Sequence, residues 1–121
     1  MAKNILVADD NVQIRFLVRN LIESAEFSVV AEATNGAEAI EKAKQFHPDL
    51  ILLDLSMPFM NGIEAASVLK RQMPHIPIIL FTMHEDSIGK GLASQIGIDR
   101  VIGKPDGMTK LLDSMRELLG L

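Results

Sequence analysis

The hydrophobic positions along the chain fall into two alternating rhythms. Short, almost unbroken apolar runs occupy residues 4–8, 27–33, 49–54, 76–82 and 99–103. Between them lie longer stretches in which apolar residues recur every three or four positions. An unbroken run suits a strand covered on both faces, whereas the longer recurrence paints one face of a helix. In a helix predicted over about 11–24, Ile14, Leu17, Val18, Leu21 and Ile22 share one face, and Asp10 or Asn11 can cap its start. A second helix, over about 36–46, is expected to bury Ala37, Ile40 and Phe46 and to stop at His47-Pro48. A third spans about 62–72 and ends before Pro74. A fourth, over 84–96, is expected to be soft: Gly89 and Gly91 each cost about 0.5–1 kcal/mol relative to alanine, and Gly97 suits its C-cap. A fifth, over about 106–119, carries Leu111, Leu112, Met115, Leu118 and Leu119. Five βα repeats predict an α/β fold with a parallel sheet and helices on both faces. Five strands are too few for an eight-stranded barrel, so the sheet is expected to be open and doubly wound. No linker, repeat or low-complexity stretch interrupts the pattern, and residues 1–121 read as one domain.

A parallel sheet collects the C-terminal ends of its strands at one rim, where open α/β sheets bind ligands. Asp9 and Asp10 close the first run, Asp54 the third and Thr82 the fourth; Lys104 follows the fifth. Three carboxylates brought together repel one another unless a cation sits among them. Oxygen-only ligands suit Mg²⁺, or Mn²⁺, far better than zinc. The plainer alternative is that Asp10 only caps a helix and Asp54 only caps a turn; their common rim favours the metal. A hydroxyl and an ammonium beside such a metal form a receptor for phosphoryl oxygens. A carboxylate can itself accept a phosphoryl group once the incoming charge is neutralised. Asp54, on the most central-looking strand, is the candidate nucleophile; Asp9 and Asp10, before a helix, are better placed to hold metal.

Composition narrows the field. The chain has 121 residues, 48% hydrophobic and 23% charged, as expected of one globular domain with a full core. A net charge of -4 without a basic cluster argues against direct nucleic-acid binding. With no cysteine there are neither disulfides nor thiolate metal sites. The N-terminus enters a strand pattern without a signal-like segment, and no apolar run approaches a membrane span. A cytoplasmic protein is expected.

The blocks Asp9-Asp10-Asn11, Asp54-Leu-Ser-Met57-Pro58-Phe-Met60-Asn-Gly62, Thr82 and Lys104-Pro105, in this order and spacing, resemble those of response-regulator receiver domains of the CheY-like kind. The likeness runs the length of the chain. It implies the flavodoxin-like strand order 2-1-3-4-5. It implies a two-component phosphoacceptor: Asp54 takes a phosphoryl group from a histidine kinase or histidine phosphotransfer protein. Asp10, Asp54 and the Ser56 backbone carbonyl would bind Mg²⁺, Asp9 would hold it directly or through water, Thr82 would be the switch hydroxyl and Lys104 the counter-ion. The Lys104–Pro105 bond is often cis in the family, although trans is the ordinary expectation. Further implied are an output domain or downstream protein as partner and a homodimer on phosphorylation, through helices four and five or one and five.

One position departs from the family. An aromatic residue usually stands three places before the lysine; here it is Val101, which cannot swing as a ring does. The Gly89/Gly91 segment would then carry more of the switching. Thr82-Met83-His84 is similar to the subgroup attached to LuxR-type DNA-binding domains. Met83 is bulky beside the phosphoryl site, which implies slow self-hydrolysis, while His84 reads as a solvated side chain. Met57 and Met60 read as packing residues, with Phe59 exposed between them. Two other functions compete. An aspartate-nucleophile, Mg²⁺-dependent phosphatase would usually carry a second Asp where Ser56 stands, and needs a substrate cap that 121 residues do not hold. A flavin carrier would need a phosphate loop after the first strand and flanking aromatics; the loop is acidic, and Tyr and Trp are absent.

Overall fold

A computed structural model describes residues 2–83, 90–103 and 107–121, with Lys90 described in its backbone alone. Strands and helices alternate: β1 (Asn4–Ala8), α1 (Val12–Ser24), β2 (Ser28–Ala33), α2 (Gly36–Phe46), β3 (Leu50–Leu53), α3 (Gly62–Gln72), β4 (Ile78–Thr82), α4 (Lys90–Ile96), β5 (Arg100–Gly103) and α5 (Met108–Leu119). All four strand pairings are parallel and the order is β2-β1-β3-β4-β5, as the repeat pattern predicts. The more polar second strand lies at an edge. Residues 84–89 and 104–106 fall outside the description. So do His84, Gly89, Lys104, the Lys104–Pro105 bond and the predicted first half of the fourth helix.

Side chains alternate across each strand, and this alternation builds two cores. Leu6 and Ala8, Ile51 and Leu53, and Ile78 and Leu80 meet α2, α3 and α4 on one face. Ile5 and Val7, Leu50 and Leu52, and Ile79 and Phe81 meet α1 and α5 on the other. The helices of the first face contribute small buried residues: Ala39, Ala43, Ala65, Ala66 and Ala93. Those of the second contribute Val18, Ile22, Leu111 and Met115.

Small residues explain two corrections in α2. Ala37 and Phe46 are exposed, and Ile40 is only half-buried; the helix instead buries Gly36, Ala39 and Ala43. Periodicity drawn from large residues misplaced the stripe, because this helix lies close to the sheet and only small side chains fit beneath it. In α1 the stripe is likewise narrower than expected: Val18 and Ile22 are buried, while Leu17 is exposed together with Val12 and Phe16. His47, at φ 46°, ends α2, and Gly97, at φ 97°, follows α4 and donates its N–H to Ala93, as the stop signals predict.

Four strands are shorter than their apolar runs, and two of the trimmed residues have other work. The Asp49 carboxylate accepts the Asn4 N–H at 2.7 Å, beside β1. The Asp99 carboxylate accepts the Ile78 N–H at 2.8 Å and pairs with Lys70 of α3 at 3.0 Å. Lys70 also donates to the Ile76 carbonyl at 2.8 Å. These carboxylates satisfy donors where the ladder begins, at the N-terminal rim of the sheet.

Candidate functional site

At the opposite rim the strands end in the predicted acids. The ladder carries on for one residue past β1 and β3: Asp9 donates its N–H to the Ala33 carbonyl at 3.0 Å, and Asp54 to the Ala8 carbonyl at 2.9 Å. Both carboxylates therefore stand on backbone fixed by the sheet. Asp9 is 4% exposed and Asp54 9% exposed, whereas Asp10 is open to solvent. One oxygen from each of the three lies within 4.8 Å of the others. The donor set is all oxygen, carries up to three negative charges and has one solvent-facing member. That chemistry fits a hard divalent cation that keeps part of its water shell.

Two asparagines frame the site. Asn11 caps α1, its side chain accepting the N–H groups of Gln13 at 2.9 Å and Ile14 at 3.1 Å. Asp10 is therefore released from capping, which removes the plainer reading of that residue. The Asn11 N–H in turn donates to Asp9 Oδ1 at 2.9 Å, which ties the Asp9 carboxylate to the start of α1. Asn61 opens α3 with a reciprocal capping box to Glu64.

The loop from Asp54 to Asn61 is clamped by backbone contacts. Gly62 donates to the Leu55 carbonyl at 2.9 Å, and Gly36 to the Met60 carbonyl at 2.8 Å. A Cβ on Gly62 would lie 2.2 Å from the Asp54 carbonyl oxygen, so only glycine allows this approach. Met57 is buried and Met60 half-buried, consistent with packing, and Phe59 is 94% exposed at φ 66°.

Asp9, Asp10, Asn11, Ile14, Asp54, Ser56 and Met83 line one open pocket of about 230 Å³. Thr82, the last residue of β4 and immediately before Met83, is fully buried. Five residues picked out in the sequence, Asp9, Asp10, Asp54, Ser56 and Met83, thus converge on one cavity. Lys104 lies outside the described residues, and Val101 in β5 is half-buried against the first-face core. Sequence reasoning passed over Arg15, which donates from Nη1 to the Asp9 carbonyl at 2.7 Å. A bond to a backbone carbonyl leaves no trace in the residue pattern.

Among the described residues no helix is long and apolar enough to cross a membrane. A family profile of the response regulator receiver domain matches residues 5–116. Chemotaxis protein CheY of Halobacterium salinarum is 37% identical over 98% of both chains. The structure of a LuxR-family two-component response regulator from Aurantimonas is similar at a TM-score of 0.90 and 28% identity, covering 99% of this chain and 86% of that one. CheY in the CheX–CheY–BeF₃–Mg²⁺ complex of Borrelia burgdorferi is similar at a TM-score of 0.86 and 25% identity, over 96% and 88% of the two chains. With its rim of carboxylates, its strand order and a family match over nearly its whole length, this chain belongs to the response regulator receiver domains of two-component signalling.

Proposed function

We propose that this receiver accepts a phosphoryl group on Asp54 from a histidine kinase or histidine phosphotransfer protein. The observation that carries the reading is the clustering of the Asp9, Asp10 and Asp54 carboxylates within 4.8 Å in a solvent-open pocket. Such a cluster is self-repelling without a cation, and the related Borrelia CheY was crystallised with Mg²⁺ and BeF₃. Asp9, Asp10, Asp54 and the Ser56 carbonyl would hold Mg²⁺, or Mn²⁺ in its place. When bound, the cation would neutralise negative charge on the incoming phosphoryl oxygens.

The residues of the chain do the rest. A carboxylate oxygen of Asp54 forms the new bond to phosphorus as the bond from phosphorus to the donor's leaving atom breaks, and the donor keeps that electron pair. The fixed backbone on either side of Asp54 holds its carboxylate toward the cleft before the donor arrives. Thr82 supplies the hydroxyl that hydrogen-bonds the phosphoryl group, and Lys104 its counter-charge. The added charge shifts a two-state equilibrium read at α4, β5 and α5 by an output domain or downstream protein, and a homodimer can form there or through α1 and α5. The chain acts in the cytoplasm as one signalling domain, turning over only its own phosphoryl group.

Intact mass after incubation with acetyl phosphate and Mg²⁺ tests the reading. One added phosphoryl group is expected, absent in Asp54→Asn and absent with EDTA. An adduct that persists in Asp54→Asn overturns the assignment. Met83 covers part of the pocket, so Met83→Ala should speed loss of the phosphoryl group severalfold in a decay assay.

A further inference from the structure

We infer that Arg15 is a positioning residue for the acidic site, acting through the backbone of Asp9. The inference rests on the proposed cation role of Asp9, Asp10 and Asp54. In a helix, side chains lean toward the N-terminus, so Arg15 in the first turn of α1 reaches back over the loop that carries the acids. Its Nη1 donates to the Asp9 carbonyl at 2.7 Å, and its Nε donates to Glu32 Oε1 of β2 at 3.2 Å. The guanidinium thus spans from the loop to the edge strand with two directed bonds, which a single ammonium cannot reproduce.

Glu32 is itself anchored. Its second oxygen accepts from Arg19 Nη1 at 2.7 Å, and its backbone carbonyl accepts from Lys42 Nζ of α2. Hydrogen bonds from Arg19, to Glu23 first and then to Glu32, hold that guanidinium above its usual pKa. Asp9 is therefore fixed at three atoms: its N–H by Ala33, its Oδ1 by Asn11 and its carbonyl by Arg15. Without the third bond the peptide plane that follows Asp9 can rotate. That plane leads into Asp10, so two of the three carboxylates would lose register with Asp54.

The sign of the effect separates positioning from simple electrostatics. Arg15 is a cation beside a cation site, and removing its charge should by Coulomb's law strengthen divalent binding. Positioning demands the reverse. Mn²⁺ affinity is to be measured by electron paramagnetic resonance for wild type, Arg15→Met and Arg15→Lys, well below the melting transition of each, alongside amide exchange. Arg15→Met should bind Mn²⁺ about tenfold more weakly, and the Asp9 and Asn11 amides should exchange about tenfold faster, with Ile5–Val7 unchanged. Arg15→Lys, which keeps the charge but loses the fork, should fall between and serves if the methionine variant does not fold. Equal or tighter Mn²⁺ binding in the variants overturns the inference, as does unchanged exchange at Asp9 and Asn11. If wild type binds no Mn²⁺ while exchange at those amides still rises in Arg15→Met, the cation reading falls and the positioning of Asp9 stands.

Discussion

The two rims of the sheet both carry aspartates, and they use them in opposite ways. At the N-terminal rim, Asp49 and Asp99 each accept the N–H of a neighbouring segment, and Asp99 adds an ion pair to Lys70. At the C-terminal rim, Asp9, Asp10 and Asp54 crowd within 4.8 Å of one another. One rim spends its carboxylates on closing the ladder; the other gathers negative charge in a cavity. The difference teaches that an aspartate beside a strand identifies nothing until its neighbours are known. A lone carboxylate that meets a peptide donor or an opposite charge is accounted for by the fold, whereas several carboxylates gathered at one pocket mark a candidate ligand site.

The widest separation between the rims should appear in divalent binding. Replacing both Asp9 and Asp10 by asparagine should weaken Mn²⁺ binding by about a hundredfold, since two of the charged ligands become neutral. Asp49→Asn and Asp99→Asn should leave it within about twofold, because screening at that distance removes most of their influence. Titration of all four proteins by electron paramagnetic resonance checks the contrast, and comparable losses at both rims would erase it.

Stability without metal should differ in sign. Asp99→Asn removes the charge paired with Lys70, whose side chain is only 13% exposed, and weakens the hydrogen bond from the Ile78 N–H, and should cost about 1–3 kcal/mol. Asp10→Asn relieves repulsion at a solvent-facing position and should add about 0.5–1 kcal/mol in EDTA. With saturating Mg²⁺ that gain should vanish or reverse, since binding energy is lost from the folded state. Urea melts with and without Mg²⁺ read both effects. If Asp10→Asn is less stable than wild type in EDTA, the acidic cluster is not under repulsion.

The sequence showed which rim to look at. Unbroken apolar runs forced parallel strands, and parallel strands forced Asp9, Asp10, Asp54 and Thr82 to one side. Less of the packing could be read. The large residues Ile40 and Phe46 set the phase that the pattern predicts for α2 and bring Ala37 onto the expected face, whereas the observed face is made of the small residues Gly36, Ala39 and Ala43. The Asp99–Lys70 pair joins residues far apart in the chain, and the Arg15 bond ends on a carbonyl; neither has a local pattern. Asn11 could be read as a cap because capping is local. Long-range polar contacts escaped for the same reason that short-range ones did not.

The smallest expected effect concerns the backbone of the two rims. Glu26 and His47, after α1 and α2, lie on the N-terminal side at positive φ, where left-handed residues commonly end helices. Phe59, at φ 66°, lies on the C-terminal side, within the loop that carries Asp54 to α3. A left-handed conformation costs a non-glycine residue about 1–2 kcal/mol, while glycine gives back about 0.5–1 kcal/mol through a freer unfolded chain. With 94% of Phe59 exposed, almost no burial is lost when the ring is removed. Phe59→Gly should therefore stabilise the fold by about 0.5–1 kcal/mol, and His47→Gly by a similar amount. The pair sharpens the contrast between rims because only Phe59 sits beside the pocket. If phosphoryl transfer from a cognate kinase slows in Phe59→Gly while transfer from acetyl phosphate does not, the exposed ring serves the protein donor. Equal rates with both donors, together with the stability gain, would make it a turn residue like His47. A loss of stability would mean that this loop does not hold Phe59 in the left-handed region.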